Sequence, residues 1–304
     1  MNNDDKDTRR VANFMKINNK TLQLSQPYVA DFSEMVGREQ EMKNILAAWM
    51  VGSANLYLSP LLIGEPGLGK NRIVYECARM CSKELYIFQG HEDVSAEELI
   101  CSVRFSDDPE KKMDYIISSL VTAMVKGGVC FIDEIAKIRP RALAPLASLL
   151  DERRYLDSIT LGERIYAQPG FRFIAATNTT DLEGNMLPDF IRSRVRPVIS
   201  IDYPKREEIN SIIQSRFRLY HDNGNALLDK FWKLWKSTYG NSPPSPRDSI
   251  YIFGFAMNVA DLCKIEQTQP YYLERPDLSS VITAMHLEDA FKVFQHNFGR
   301  KRHD

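Results

Sequence analysis

One stretch of the sequence has the residue types and spacing of a phosphate-binding loop. It matches G-x-x-x-x-G-K over seven consecutive residues: Gly64, Glu65, Pro66, Gly67, Leu68, Gly69 and Lys70. Glycines let backbone N–H groups turn towards phosphate oxygens, and the lysine adds a cation for the β- and γ-phosphates. An apolar run precedes the loop and a helical pattern follows it, as the motif requires. The alternative is a glycine-rich turn that only closes a β–α unit.

The residue after Lys70 departs from this pattern. Ser or Thr is expected there because its hydroxyl ligates Mg²⁺, whereas this sequence has Asn71. An amide carbonyl is also a neutral oxygen ligand, but it lies further from the backbone, so it would ligate Mg²⁺ after a shift or through a water. We therefore expect nucleotide binding to tolerate Asn71 better than hydrolysis does.

Two adjacent acids end an apolar run later in the chain. Asp133 and Glu134 follow Val129-Cys130-Phe131-Ile132. At the carboxyl end of a buried strand, Asp133 could hold the Mg²⁺ shell and Glu134 could polarise an attacking water. The alternative is that the two acids only cap the next helix. Their position after a strand, downstream of the phosphate loop, favours the catalytic interpretation.

Three further polar positions could act on the same phosphates. Asn178 ends another apolar run and could orient the attacking water, although an Asn there is often only a turn residue. Arg192 and Arg194 are either a solvated cluster or, in a ring, candidates for an arginine finger that reaches a neighbour's γ-phosphate. Arg247 opens a later helix and could contact phosphate from there.

Composition and charge limit the classes of function. The chain has 304 residues, 44% of them hydrophobic, and its 39 Lys and Arg nearly balance 40 Asp and Glu. That balance gives no overall attraction to nucleic acid. No stretch approaches the ~20 apolar residues of a transmembrane helix, and the polar N-terminus does not resemble a secretory signal. We expect a cytoplasmic protein without membrane insertion.

Short apolar runs that alternate with helical patterns must position these residues. The runs lie at 56–64, 84–90, 128–134, 171–178 and 196–204. Runs of this length predict strands buried on both faces of a parallel sheet. Residues 112–126 predict a helix that stops at Gly127, with Ile116 and Leu120 on its buried face.

The pattern changes after Pro204, where amphipathic helical segments replace the strands. We therefore predict a flexible N-terminal arm at 1–27, an α/β nucleotide-binding domain at 28–204 and a helical lid domain at 205–304. The expected fold class is a three-layer α/β P-loop domain with a parallel sheet, followed by a small all-α domain.

Together these motifs resemble the AAA+ ATPases, and within them the CbbQ/NorQ-like branch of the MoxR family. The likeness covers roughly residues 34–260. It rests on Val36-Gly37-Arg38, the phosphate loop, the segments 90–99 and 146–155, the acidic pair, Asn178, the IRSR stretch and SPR at 245–247. The segments 90–99 and 149–155 are the more branch-specific parts.

The resemblance implies a role for each matching position. Val36 and Gly37 would lie against adenine, residues 64–71 would be Walker A, and Asp133 and Glu134 would be Walker B. Asn178 would be sensor 1, Arg194 the arginine finger with Arg192 as second candidate, and Arg247 sensor 2. Asn71 and Asp133 would serve Mg²⁺. The stretch from Tyr155 to Tyr166 would be the β-hairpin before sensor 1.

The resemblance also implies a hexameric ring that binds ATP or ADP with Mg²⁺ and hydrolyses ATP. Such proteins activate or mature a target protein complex, usually with a partner that carries a von Willebrand factor A (VWA) domain. Two alternatives remain open. Asn71 favours a nucleotide-gated assembly protein with little hydrolysis, and AAA+ rings also include nucleic-acid motors, against which the balanced charge argues.

Overall fold

The computed structural model describes residues 14–17, 20–30, 35–106, 109, 112–184, 187–219, 222–264 and 282–295. Its strands are β1 Phe14–Ile17, β2 Lys20–Gln23, β3 Leu61–Ile63, β4 Leu85–Gln89, β5 Cys101–Phe105, β6 Met113–Ile117, β7 Val129–Asp133, β8 Tyr155–Ser158, β9 Glu163–Tyr166, β10 Arg172–Thr177 and β11 Val198–Ser200. Its α-helices are α1 Glu39–Trp49, α2 Lys70–Met80, α3 Ser119–Lys126, α4 Pro140–Leu143, α5 Leu146–Leu149, α6 Thr179–Gly184, α7 Asp189–Arg192, α8 Arg206–Phe217, α9 Asp222–Tyr239, α10 Pro246–Lys264 and α11 Ala284–Phe294. A 3₁₀ turn spans Ile135–Lys137.

The described residues divide into two compact units. The first contains the described residues at 14–30, 38–65 and 70–201, and the second contains those at 35–37, 66–69 and 202–295. The main segment of the second unit therefore begins close to residue 204, where the strand pattern of the sequence ends. The tip of the phosphate loop groups with the second unit and the rest of the loop with the first.

A parallel five-stranded sheet forms the centre of the first unit, in the order β11-β3-β10-β7-β4. The five apolar runs supply these strands, and β7 and β10 are almost entirely buried. Since all five strands are parallel, their carboxyl ends share one edge of the sheet. Ile63, Gln89, Asp133 and Thr177 end four of them there, so the side chains that follow are brought together.

The prediction of a flexible arm at residues 1–27 is wrong for residues 14–17 and 20–23. β1 and β2 pair as an antiparallel hairpin, and β2 also pairs with β6 in a second sheet of order β1-β2-β6-β5. Leu22 and Leu24 are buried in the core of the first unit. These apolar residues are too few for a periodic signal, but tertiary pairing with β6 stabilises the strand.

The prediction of one helix over residues 112–126 is also wrong in its first half. Residues 113–117 form β6, and the helix begins only at Ser119. Tyr115, Ile116 and Ile117 are aromatic or β-branched and favour a strand, and β6 pairs with both β2 and β5. The Ser118 hydroxyl accepts from the Val121 backbone N–H and caps α3, which ends as predicted at Gly127.

The second unit is helical, as the sequence predicts. α8 to α11 bury an aromatic core that includes Phe231, Trp235, Phe253 and Phe291. The Phe231 ring packs against those of Trp235, Phe253 and Phe291 with centroids 5.4–5.9 Å apart. In the part of the chain that the structure describes, no helix is long and apolar enough to cross a membrane.

Candidate functional site

The lysine of the phosphate loop is at the centre of the site in the first unit. Lys70 starts α2 and is only 7% exposed. Its ammonium group donates to the carbonyl oxygens of Gly64 at 2.6 Å and Glu65 at 3.2 Å, and to Asn178 Oδ1 at 2.8 Å. A buried ammonium needs such acceptors. The contact with Asn178 brings together two residues that the sequence places 108 positions apart.

Asn178 follows β10 and holds the lysine from the adjacent strand. Its Oδ1 accepts from Lys70, while its Nδ2 donates to Asp181 Oδ2 at 3.0 Å. Asp181 in α6 therefore fixes which way the amide faces. An amide fixed in this way can orient a phosphate oxygen or an attacking water.

Asp133 and Asn71 face each other at the sheet edge. The Asn71 Nδ2 donates to Asp133 Oδ2 at 3.0 Å, and the Glu134 backbone N–H donates to Asp133 Oδ1 at 3.0 Å. Burial raises the pKa of the Asp133 carboxyl above its usual value, against the opposing effect of the Asn71 hydrogen bond. Asn71 therefore donates to Asp133 where the Ser or Thr of the usual motif would donate through its hydroxyl. The amide oxygen of Asn71 takes no part in this hydrogen bond.

These residues fit a magnesium ion that arrives with a nucleotide. Mg²⁺ prefers oxygen ligands and is usually bound by one or two carboxylates together with substrate phosphates. Asp133 supplies a carboxylate and Asn71 an amide oxygen, beside the lysine that would bind phosphate. Among the described residues, no group of three or more His, Cys, Asp or Glu side chains is placed to hold a metal ion.

Glu134 has a left-handed backbone conformation, and one of its carboxylate oxygens is bound by two donors. Its backbone adopts a left-handed conformation with φ 56°. Its Oε2 accepts from Gln89 Nε2 at 2.9 Å and pairs with Lys137 Nζ at 3.0 Å. The hydrogen bond with Glu134 raises the pKa of Lys137. One oxygen of the Glu134 carboxylate is therefore held by both an amide and an ammonium group.

The tip of the phosphate loop is held within the second unit. Gly67 and Gly69 have φ of 86° and 88°, in the left-handed region that favours glycine. The Arg247 backbone N–H donates to the Gly67 carbonyl at 3.4 Å, and a side chain at Gly67 would collide with Ser245 Oγ. Arg247 is exposed, and both its main chain and its Cβ lie against the loop at Gly67.

Val36 and Gly37, the expected adenine contacts, also belong to the second unit. Gly37 has φ 69°, and a side chain there would meet Glu208 Oε1 of α8. The Glu208 carboxylate also accepts from the Lys205 backbone N–H at 2.7 Å. Contact of either residue with adenine stays a prediction.

The two arginines of the IRSR stretch differ in their surroundings. Arg192 lies in α7, pairs with Asp189 and has a side chain that is 49% exposed. Arg194 is 29% exposed, donates from Nη1 to the Phe190 carbonyl at 2.8 Å and pairs through Nη2 with Asp151 at 3.5 Å. Its Nε is buried without an acceptor among the described residues. Neither lies in a contact with Lys70 or Asp133 of its own chain that the structure records.

Several partners of the site are not evident from the sequence. Gln89, Lys137, Asp181 and Asp151 contact Glu134, Asn178 or Arg194. Gln89 could have been suspected because it ends a strand whose carboxyl end shares the edge with Asp133. Lys137 and Asp181 lie three residues after their partners, and Asp151 is distant from Arg194 in the chain; hydrophobic periodicity indicates none of these contacts.

Comparison with known protein families gives one match in the central part of the chain. Residues 59–195 match the AAA domain of the dynein-related subfamily. The match begins just before β3 and ends after Arg194, so it includes the phosphate loop, the acidic pair and Asn178.

Similar proteins with curated names include a regulator and uncharacterised chains. Denitrification regulatory protein NirQ of Stutzerimonas stutzeri is 30% identical over 188 residues, which are 60% of this chain and 63% of NirQ, under two thirds of its length. An uncharacterised protein of Staphylococcus haemolyticus is 28% identical over 182 residues, which are 59% of this chain and 68% of that protein.

Solved structures with a similar fold include RuvB of Thermotoga maritima. A single-residue variant superposes with a TM-score of 0.57 at 19% identity, over 86% of this chain and 71% of RuvB. The RuvB described as a Holliday junction branch migration motor gives a TM-score of 0.55 at 18% identity, over 85% of this chain and 70% of RuvB. At this identity the likeness concerns the fold alone.

Proposed function

We propose that the chain, whose residues 59–195 match a dynein-related AAA domain, is a MoxR-like AAA+ protein that binds and hydrolyses ATP as a ring. In this proposal it uses the energy to remodel, activate or mature a partner protein complex. The observation that carries the proposal is the cluster of Lys70, Asn178, Asn71 and Asp133 at one sheet edge. It combines a buried cation, an oriented amide and a carboxylate beside a glycine loop.

In this proposal Lys70 and the loop N–H groups bind the triphosphate. Lys70 would exchange its contacts with the Gly64 and Glu65 carbonyls for phosphate oxygens, which carry the stronger charge. Asp133 and Asn71 would hold Mg²⁺, which neutralises charge on the β- and γ-phosphates. Glu134 would accept a proton from the attacking water, and Asn178 would orient that water.

Residues from elsewhere would complete the site. Arg194, or Arg192 as second candidate, would reach the γ-phosphate bound by a neighbouring copy, an effect of about 10³–10⁵ in rate. Arg247 would contact phosphate, supported by the bond of its main chain to the loop. Val36 and Gly37 would contact adenine. A homohexameric ring, a VWA-domain partner and a cytoplasmic location belong to the same proposal.

Glu134→Gln tests the catalytic part of the proposal. The amide cannot accept the proton from water but leaves Lys70 and Asp133 in place, so nucleotide should still bind while phosphate release falls by about 10²-fold or more. Phosphate release and binding of a fluorescent ATP analogue measure the two effects. Glu84→Gln is a matched control, since Glu84 accepts a hydrogen bond from the Tyr86 hydroxyl and contacts none of the site residues named above. Unchanged turnover in Glu134→Gln would remove Glu134 from the mechanism.

A second function is favoured by Asn71, which donates its amide N–H to Asp133. If that hydrogen bond persists with nucleotide bound, the Asp133 carboxylate is less available to Mg²⁺. The chain would then be a nucleotide-gated assembly protein with little hydrolysis. A nucleic-acid motor receives no support beyond the fold it shares with RuvB, because the net charge of −1 gives no attraction to phosphate backbones.

A further inference from the structure

Arg194 pairs with Asp151, an acid in the segment that leads into the β8–β9 hairpin. Asp151 lies just after α5, and its Oδ2 is 3.5 Å from Arg194 Nη2. The Arg194 Nη1 is bonded to the Phe190 carbonyl of α7, and α5 packs on α7. Since Nε has no acceptor among the described residues, the contacts of the two Nη atoms fix the guanidinium.

Asp151 is in turn held by Arg153. The Arg153 guanidinium donates to both carboxylate oxygens, from Nη2 to Oδ2 at 2.7 Å and from Nε to Oδ1 at 3.1 Å. The Arg153 backbone N–H donates to Oδ1 at 3.0 Å. Arg153 holds the pKa of Asp151 below its usual value. A carboxylate bound from both the side chain and the main chain of one residue has a fixed orientation.

The hairpin continues this chain of contacts. The Arg153 guanidinium lies 5.7 Å from the centre of the Tyr155 ring at the start of β8, and Arg164 of β9 lies 4.0 Å from the same ring. A movement of the hairpin that shifts Tyr155 would therefore shift Arg153 and the acid it holds. Sequence reasoning assigned no role to Asp151 or Arg153.

We propose that Asp151 is a positioning residue for Arg194 and that Arg153 ties this position to the β8–β9 hairpin. The proposal rests on the function proposed above, in which Arg194 acts on ATP bound by a neighbouring copy. Asp151 holds the Arg194 guanidinium between α5 and α7, and 29% of the Arg194 side chain is exposed. A displaced hairpin would then lower the hydrolysis rate in the adjacent subunit and leave nucleotide affinity unchanged.

Asp151→Asn tests the proposal in the full chain. The amide keeps the shape of the side chain but loses the charge that attracts Arg194. We expect kcat for ATP to fall about 10-fold or more, a part of the 10³–10⁵ that an arginine finger contributes, while KM changes less than about 2-fold. Arg153→Ala should act in the same direction, and its half-exposed side chain makes a folding defect a minor risk. Asp289→Asn, which removes a charge from the exposed Asp289–Lys292 pair of α11, should keep the kcat of the unmodified chain.

Mixing of variants separates a positioning role from a structural one. Asp151→Asn chains have an intact Glu134, and Glu134→Gln chains have an intact Arg194 and Asp151. In mixed rings, an Asp151→Asn site beside a Glu134→Gln neighbour is complete, so the mixture should hydrolyse ATP faster than the sum of its parts. A folding defect in Asp151→Asn would not be rescued in this way.

Three results would overturn the proposal: an unchanged or raised kcat in both Asp151→Asn and Arg153→Ala, a matching loss in Asp289→Asn, or no gain on mixing. A different result defeats the proposed function instead. If the unmodified chain hydrolyses no ATP, the proposed ATPase function is wrong, and the variants have no activity to compare.

Discussion

At the scale of residues, the site has a donor for each acid and an acceptor for its cation. Lys70, Asn178 and Asp181 form one chain of hydrogen bonds, and Asn71, Asp133 and the Glu134 main chain form another. Both chains are pre-organised before nucleotide binds, which reduces the cost of ordering them on binding. The roles proposed for these residues follow from where each strand ends.

Asn71→Thr distinguishes the two functions that the site supports. A hydroxyl at this position would ligate Mg²⁺ directly and still donate to Asp133. If Asn71 limits hydrolysis, the variant should raise kcat about 10-fold or more, with little change in nucleotide affinity. A fall in kcat would show that hydrolysis at this site depends on Asn71. Asn44→Thr, on the exposed face of α1, is a control for the same substitution outside the site.

Asp133→Asn should stabilise the fold while it abolishes hydrolysis. Burial raises the pKa of Asp133 above the unfolded value of 3.8, so its charge costs stability at pH 7, and that cost disappears as the pH falls below the unfolded value. The variant should have a higher Tm than the unmodified chain at pH 7, and this difference should vanish near pH 3. Thermal unfolding followed by circular dichroism at both pH values measures it. A loss of stability at pH 7 would contradict the assigned cause.

The sequence predicts the residues proposed to face the nucleotide better than it predicts the residues that hold them. Lys70, Asp133 and Asn178 sit in motifs whose spacing is fixed by the chemistry, so their convergence could be expected. Asp181 and Lys137 lie one helical turn beyond their partners, and Asp151 is far from Arg194 in the chain. Hydrophobic periodicity indicates none of these polar contacts, whether they are local or join distant segments.

At the scale of elements, the central sheet follows directly from the sequence. Buried apolar runs produced all five parallel strands, and the hairpin expected from Tyr155 to Tyr166 is present as β8 and β9. The second sheet was not predicted, because β1, β2 and β6 are too short to show a hydrophobic pattern. Pairing with neighbouring strands stabilises each of them. Residues 113–117 have apolar residues at spacings that also fit a helix, and pairing with β2 and β5 decides for a strand.

Leu22→Ala tests whether the N-terminal hairpin belongs to the fold. Leu22 is fully buried in the core of the first unit, so its truncation should cost about 2–5 kcal/mol. Phe14→Ala is the control, because Phe14 is 58% exposed and its loss should cost about 0.5 kcal/mol or less. Urea unfolding followed by fluorescence gives both values. Equal and small effects would show that residues 14–23 add nothing to the core.

At the scale of the whole molecule, the predicted fold class and the resemblance to MoxR-family AAA+ proteins are confirmed. The AAA domain at 59–195 and the superposition on RuvB agree with a parallel α/β unit and a helical C-terminal part. The remodelling task, the VWA partner and the ring stay proposals. Balanced charge, 39 basic against 40 acidic residues, argues that a partner is recognised by local surface and not by overall attraction.

Isothermal titration of the full chain with ATP or ADP in the presence of Mg²⁺ tests the central claim most directly. The account predicts a saturating heat for the unmodified chain and its loss in Lys70→Ala, because the buried ammonium is the main cation for the phosphates. Lys43→Ala, an exposed lysine of α1, should bind as the unmodified chain does. If neither nucleotide produced heat with the unmodified chain, or if Lys70→Ala bound as tightly, the phosphate loop would not be a nucleotide site.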